Sequence, residues 1–516
     1  MKLKPIIFCY LIINFLIFIP ILYSQQKEPT NTKYILTPEP SKKPRINGAS
    51  IFGVRPGSPF LYRIPVTGEK PIKLEVKNLP DGLSLNKSTG IITGKITKKG
   101  EYKLIFVAKN KYGKHTKNFK VVCGDKIGLT PQMGWNHWYM WVDKVNDKII
   151  REAADAMIYT GLADHGYSYI NIDDSWSVKK GSDNPMLNGE PRDSNGYINS
   201  NKNFPDMKAL TDYIHSKGLK AGIYSSPGPL TCGNYIASYG YEEQDSKRFF
   251  EWGFDLLKYD LCSYRKLTDY HNADTLKKIY KLMGYYLQLL PRDIIYNLCE
   301  YGEGKVWEWG NEVYANSWRT AYDLGGKIDS IFHKVYRDGF DLYAKYELHK
   351  YAKPGNWNDP DYLLLGIINN WKGDPIFTPL TPDEQYSYFS FWVLINAPLI
   401  ISSDITRLDE FTLRLLTNDE VIEVNQDELG KAARRLSYID GIDIWYKELY
   451  DGSLAVGLFN RCENEKEATL SFSELGSNKK YKIRDLWRQK DLGIFKNSFT
   501  TKINPHGVVL IKLTKK

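Results

Sequence analysis

The stretch FFEWGFDLLKYDLC, residues 249–262, is where the architecture of the chain becomes readable. Phe249, Phe250 and Trp252 read as the end of an amphipathic helix, Gly253 as a turn, and Leu256 to Tyr259 as a short buried strand. That strand delivers Lys258 and Asp260 at its carboxyl end. An apolar run ending in an ionisable group is unusual, because burying a carboxylate is costly unless a cation or hydrogen bonds hold it. Lys258, two residues before Asp260, lies on the same face of the strand.

The same alternation of short apolar strands and helical stretches extends on both sides. Strand candidates are Met133 to Trp138, Tyr169 to Ile172, Ala221 to Tyr224, Ile294 to Leu298, Ala315 to Trp318, a weakly marked one near Tyr351, and Pro398 to Ser402. Helices are expected over Ile149 to Leu162, Met207 to Lys217, Thr275 to Leu290 and Thr381 to Leu394. Eight βα repeats in about 300 residues predict an α/β fold, a closed parallel (β/α)8 TIM barrel. Asp173, Asp174, Tyr224, Asp260, Glu300 and Arg319 all fall at or just beyond strand carboxyl ends, the rim on which barrel enzymes build their sites.

A chain of 516 residues, 42% hydrophobic, has room for further domains. From Arg45 to Gly124 short alternating runs are split by turns such as Pro80-Asp81-Gly82, the pattern of a β-sandwich. Past Gly430 helical periodicity gives way to strands (Asp443 to Tyr446, Leu454 to Phe459, Thr469 to Phe472, Tyr481 to Asp485, Val508 to Leu513), predicting a C-terminal antiparallel β domain. The expected division is a signal peptide at 1–24, a linker at 25–44, a sandwich at 45–124, the barrel at 125–428 and the last domain at 429–516. Lys2 and Lys4 ahead of the apolar run Ile6 to Tyr23 have the order of a secretory signal, with an uncleaved anchor as the alternative. By that signal the protein is expected to be exported to a periplasm, a cell surface or the medium, and since no other segment is apolar enough to span a bilayer, no span is expected in its mature form. The overall charge of +10 belongs to one module: residues 45–124 hold 16 Lys and Arg against 4 Asp and Glu. Such a surface suits weak contact with a polyanionic glycan; Lys on exposed strands also resists edge pairing, so a plain spacer fits as well.

Six motifs follow one another in the barrel region: TPQMGWNHW (130–138), YINIDDSW (169–176), HSKGLKAGIYSSPGPLTCG (215–233), WGFDLLKYDLC (252–262), NSWRTAYDL (316–324) and GNWNDPDYLLLG (355–366). In this order they resemble glycoside hydrolase family 27, the α-galactosidase and α-N-acetylgalactosaminidase family. LPDGLSLNKSTGIITGKITKKGEYKLIFVAKNKYG, within the sandwich, resembles the immunoglobulin-like (Ig-like) modules of bacterial surface and secreted proteins. The first resemblance implies a retaining exo-α-galactosidase acting on galactose-terminated oligo- or polysaccharides. Asp260 would be the nucleophile and Asp323 the acid/base, a pair that the chemistry needs about 5 to 5.5 Å apart. It also implies that Asp173 and Asp174 grip sugar hydroxyls, that Trp138 forms an apolar platform, and that Tyr224 and Asp361 add wall contacts. Lys258 would hold Asp260 ionised. Glu300, with Arg319 beside it, would accept a bond from a free 2-hydroxyl and so favour galactose over N-acetylgalactosamine. Alternatives of the same fold are an α-N-acetylgalactosaminidase and a β-L-arabinopyranosidase; a non-catalytic glycan-binding protein is the alternative of another class.

By the same resemblance Cys232 and Cys262 form a disulfide. Ser175 and Ala315 stand where relatives carry other cysteines, so Cys299 is expected to be reduced. No cofactor is expected. The eight His lack ligand spacing, His137 reads as support for the pocket rather than a metal ligand, and Gly325-Gly326 lacks a phosphate-loop pattern. Nucleic-acid motifs are absent as well.

Overall fold

The computed structural model describes residues 31–327, 330–369 and 374–516. The expected signal at 1–24, with the first part of the linker, lies outside the described residues. Eight parallel strands form one sheet: β1 (Met133–Asn136), β2 (Tyr169–Asn171), β3 (Lys220–Ser225), β4 (Leu256–Asp260), β5 (Ile295–Cys299), β6 (Ser317–Arg319), β7 (Trp357–Asp359) and β8 (Leu399–Ile401). They pair in the order β7-β6-β5-β4-β3-β2-β1-β8. Leu363, just past β7, closes the ring by a parallel bridge to Ile401 of β8.

The seventh strand corrects the sequence-based expectation. Near Tyr351 the chain makes a short 3-10 turn, Leu348–Lys350, and β7 comes later. Its Trp-Asn-Asp triplet has a single apolar residue, so no hydrophobic run marks it. Its place follows from register with β6, in which Ser317 pairs with Trp357 and Arg319 with Asp359.

Helices α1 (Asp147–Tyr159), α2 (Met207–Ser216), α3 (Glu242–Trp252), α4 (Ala273–Leu289) and α5 (Pro382–Leu394) belong to the outer layer. Gly253 ends α3 with φ +97°, a left-handed turn in which a Cβ would also meet Thr211 Oγ1 at 3.0 Å. All five residues of β4 are buried, and strand alternation sorts them. Tyr259 packs outward against Tyr280 of α4, ring centroids 5.9 Å apart, which turns Lys258 and Asp260 into the ring.

The N-terminal domain faces a four-stranded sheet with a three-stranded one around Phe60, Ile92, Phe106, Phe119 and Val121. It docks on the amino-terminal end of the barrel, opposite the catalytic rim. Arg55 pairs with Asp293 (2.7 Å), just before β5, and also donates to the carbonyls of Gln288 and Leu290. Arg63 lies 3.7 Å from Asp164, ahead of β2. Part of the basic excess therefore anchors the module. The described part of the expected linker is also held. Leu36 N donates to the Tyr386 hydroxyl (2.9 Å), Asn418 to Thr37 Oγ1 (3.2 Å), and Arg414 to the carbonyl of Pro38 (3.2 Å). Ile35 and Leu36 add apolar contact with the main core, so the strap is held by backbone and side chains together.

The C-terminal domain is a six-stranded antiparallel sheet with an additional two-stranded one. It packs on α5, in which every residue from Gln385 to Leu394 is buried. Phe391 meets Trp445 (4.9 Å) and Tyr386 meets Trp487 (4.6 Å). Thr381 and Glu384 close the start of α5 in a reciprocal capping box. At the same interface Lys447 is buried, donating to Asn396 Oδ1 and to the Val424 carbonyl. Burial pushes its ammonium pKa down to about 7, with Asp427 opposing. A lysine whose pKa is lower in the folded than in the unfolded chain takes up fewer protons when folded, so stability rises with pH between about 7 and 10. Urea unfolding of the Lys447→Met variant should lack this component, worth up to about 1.4 kcal/mol per pH unit. Parallel pH profiles for both proteins would refute the assignment.

Candidate active site

At the carboxyl end of the barrel one cavity is lined by Trp138, Tyr139, Asp173, Tyr224, Cys232, Lys258, Asp260, Tyr301, Arg319, Asp323, Asp361 and Tyr362. Eight of the residues expected from sequence thus meet there: Trp138, Asp173, Tyr224, Lys258, Asp260, Arg319, Asp323 and Asp361. Asp174 and Glu300 do not line it.

Asp260 ends β4 and is almost fully buried. Its two carboxylate oxygens accept from different phenols, Oδ2 from Tyr224 (3.0 Å) and Oδ1 from Tyr301 (2.8 Å). Burial raises its pKa above the ordinary value; Lys258 opposes this, and the nearby charge of Asp323 adds to it. The two acids therefore sense one another across the cavity. The Asp323 side chain is 42% exposed, and Arg319 Nη1 donates to its Oδ1 (3.1 Å).

Lys258 favours the ionised form of Asp260, as expected, but does so without touching it. Its ammonium pairs with Asp173 Oδ2 (2.9 Å) and acts on Asp260 only through its field. The same oxygen of Asp173 also accepts from Asn136 Nδ2 (2.7 Å) and the Tyr362 hydroxyl (3.2 Å). Burial raises the Asp173 carboxyl, but Lys258, His137 and the Asp174 amide together outweigh it and hold the acid below the ordinary range. His137 stands behind it. Its Nδ1 accepts from the Asp173 amide (3.0 Å) while Nε2 donates to the Val142 carbonyl (3.1 Å). Burial lowers the His137 pKa to about 4, so the ring stays neutral at physiological pH and keeps this tautomer.

Asp174 points elsewhere, accepting from the amides of Ser175 (2.7 Å) and Gly233 (2.7 Å). Burial raises it to about 6 in spite of those donors. It ties β2 to the loop that carries Cys232. That residue forms the expected disulfide with Cys262, while Cys123, Cys299 and Cys462 are free. Among the described residues the group with metal-ligand proximity is Cys232, Asp260 and Cys262, whose sulfurs are joined in that bond.

Glu300 is the main correction. It is fully buried, its carboxyl is met by its own amide and by a long bond from Gly302 N to Oε1 (3.3 Å), and Oε2 has no partner. Burial drives its carboxyl well above the usual range. Asn297 and Cys299 point into the ring and Glu300, next in phase, points out behind β5, while the left-handed turn at Tyr301 (φ +65°) brings that side chain to the cavity wall. Sequence reasoning also passed over Asn136, Tyr139 and Tyr362, although each lies in or beside a motif already singled out.

Asp361 has φ +110°, a conformation that L residues seldom adopt. Several contacts hold it there. Oδ2 accepts from Tyr139 OH (2.7 Å) and Leu324 N (2.7 Å), and its own carbonyl accepts from Trp392 Nε1 (2.8 Å). Arg319 Nη1 lies 3.4 Å from Oδ1, so a single guanidinium joins Asp361 and Asp323.

Comparison with known proteins gives the same picture. A family model described as alpha galactosidase A matches residues 130–427, one for the alpha galactosidase C-terminal beta sandwich domain matches 440–513, and an Ig-domain model matches 43–124. The chain is 36% identical to alpha-galactosidase 2 of Arabidopsis thaliana over 402 residues, 77% of this chain and 92% of that relative. It is 33% identical to alpha-galactosidase A of Cellvibrio japonicus over 408 residues, 76% of this chain and 93% of the other. The crystal structure of alpha-galactosidase I from Mortierella vinacea superposes with a TM-score of 0.67 at 31% identity, covering 75% of this chain and 97% of that one. A crystal structure from Bacteroides fragilis reaches 0.84 at 33% identity over 92% of this chain and 98% of its own. With a family model over more than half of its length and relatives of this identity over three quarters of it, the chain belongs to the α-galactosidase A family, glycoside hydrolase family 27.

Proposed function

We propose that the protein is an exo-acting, retaining α-galactosidase that releases terminal α-D-galactose from oligo- or polysaccharides. What supports this above all is the meeting of Asp260 and Asp323 in the lining of one cavity at the barrel rim. Asp260 attacks the anomeric carbon while Asp323 gives its proton to the departing oxygen, leaving a β-galactosyl ester on Asp260. Asp323, now ionised, takes a proton from the water that opens this ester, and the α configuration is restored. Asp260 is 4% exposed and held by two phenols, as suits a nucleophile that must not wander. Asp323 is open on one side, where leaving group and water exchange.

Ionised Asp173, Asp361, Tyr224 and the face of Trp138 are assigned to the sugar. Asp174 is assigned to positioning of the Cys232 loop, and Tyr301 replaces Glu300 as the wall beside the nucleophile. Turnover of aryl α-galactoside, α-N-acetylgalactosaminide and β-L-arabinopyranoside compared side by side decides among the family activities. Binding without turnover of any would favour a glycan-binding protein. We also propose export by the signal at 1–24, supported by the disulfide, which suits an oxidising compartment; the amino-terminal sequence of the secreted protein tests it. Any contact with a polyanionic glycan would fall to exposed lysines of the Ig-like module such as Lys73, Lys95 and Lys109.

Two outcomes follow for the chemistry. Asp260→Asn should lower kcat on an aryl α-galactoside at least about a thousandfold with the unfolding midpoint retained; undiminished hydrolysis would remove Asp260 from its role. Lys258→Met should shift the acidic limb of kcat/KM upward in pH, because the main influence lowering the Asp260 pKa is removed and the nucleophile protonates sooner as pH falls. An acidic limb that stays put would place that titration elsewhere.

A further inference from the structure

Asp323 protonates the departing oxygen, so whatever adjoins it on the open side faces the leaving group. Tyr322, the residue before Asp323 in the chain, is 49% exposed. Exposed tyrosines usually keep their rotamer freedom, but this one is held at two points. Its ring stacks on Tyr301, centroids 5.3 Å apart and planes 17° apart. Its hydroxyl donates to Glu303 Oε1, and the other oxygen of Glu303 is engaged by His271 Nδ1 (2.7 Å). Beneath this pair lies Arg265, its guanidinium 4.4 Å from the Tyr301 centroid and 5.7 Å from that of Tyr322. Arg265 pairs with no carboxylate among the described residues, and its Nε and Nη2 are buried without an acceptor. Its charge is met instead by aromatic faces, Tyr270 included (5.5 Å).

A flat, half-exposed ring fixed beforehand next to the acid/base is a binding surface with little ordering left to lose. Its continuity with the cavity is direct, since Tyr301, on which it rests, holds Asp260. Aromatic faces favour the apolar C–H face of a pyranose over a small or highly solvated group. We propose that Tyr322, set by Tyr301, Glu303 and Arg265, is the platform on which the sugar ring of the leaving group stacks. The inference rests on the galactosidase reading and specifies the other half of its substrate. None of these side chains was singled out by the motifs, because Tyr322 and Glu303 meet only when the loops after β5 and β6 come together.

The test compares two substrates that differ only beyond the scissile bond. Melibiose carries a glucose leaving group, and α-galactosyl fluoride carries none that can stack. In Tyr322→Ala the ratio of kcat/KM for melibiose to that for the fluoride should fall about tenfold, the size expected for one lost apolar contact to substrate. Tyr322→Phe, which keeps the ring and loses only the link to Glu303, should retain most of the ratio. An unchanged ratio in Tyr322→Ala, whether both rates fall together or neither does, overturns the platform and leaves the galactosidase reading standing. A wild-type enzyme inert towards both substrates overturns the two together.

Discussion

The catalytic end of the barrel depends on keeping charge ionised where water is scarce, and the ion pair of Lys258 with Asp173 meets that constraint. Each would be costly to bury alone, and each is a member of a different strand end. The pair joins β4 to β2 across the ring, and Asn136 of β1 and Tyr362 beyond β7 complete the coordination of the same oxygen. A wall that polar keeps one geometry only if all its donors are placed together. Neutral His137 secures the far side of Asp173 with its own tautomer fixed by the Val142 carbonyl. What results is a site whose acceptors are set before substrate arrives.

Against that frame the two catalytic acids differ by environment rather than by kind. One is enclosed, gripped at both oxygens, and raised by burial. The other stands at the cavity mouth beside a guanidinium shared with Asp361. The enclosed acid has the fixed aim that a nucleophile needs, and the open one stands where leaving group and water can exchange. The backbone strain at Asp361 belongs to the same scheme, because the four contacts that hold it also position Arg319's second carboxylate partner.

The flanking domains contribute to this site indirectly. The Ig-like module is fixed to the amino-terminal floor through Arg55 and Arg63, far from the chemistry, and the C-terminal sheet grips α5. Helix α5 also reaches the site. Trp392 donates to the carbonyl of Asp361, so the packing that seats the C-terminal domain and the strain that shapes the cavity share one helix.

Local patterning was enough to reveal the alternation of short apolar strands with helices, the β character of both flanks, and most of the acids at the rim. These features are written in residues close together in the chain, at periods of two and 3.6. It was not enough for β7, whose triplet has one apolar residue and is placed by its neighbour, or for Arg434–Ile439 and Lys490–Phe495, too charged to mark themselves as strands. The end of β5 at Cys299 and the left-handed turn at Tyr301 decided that Tyr301, not Glu300, faces the cavity. Packing alone decided that Lys258 pairs with Asp173 rather than Asp260, and that the strap before the Ig-like module is docked. In each case the partners come from distant parts of the chain, and a direction of approach in three dimensions cannot be inferred from spacing along one.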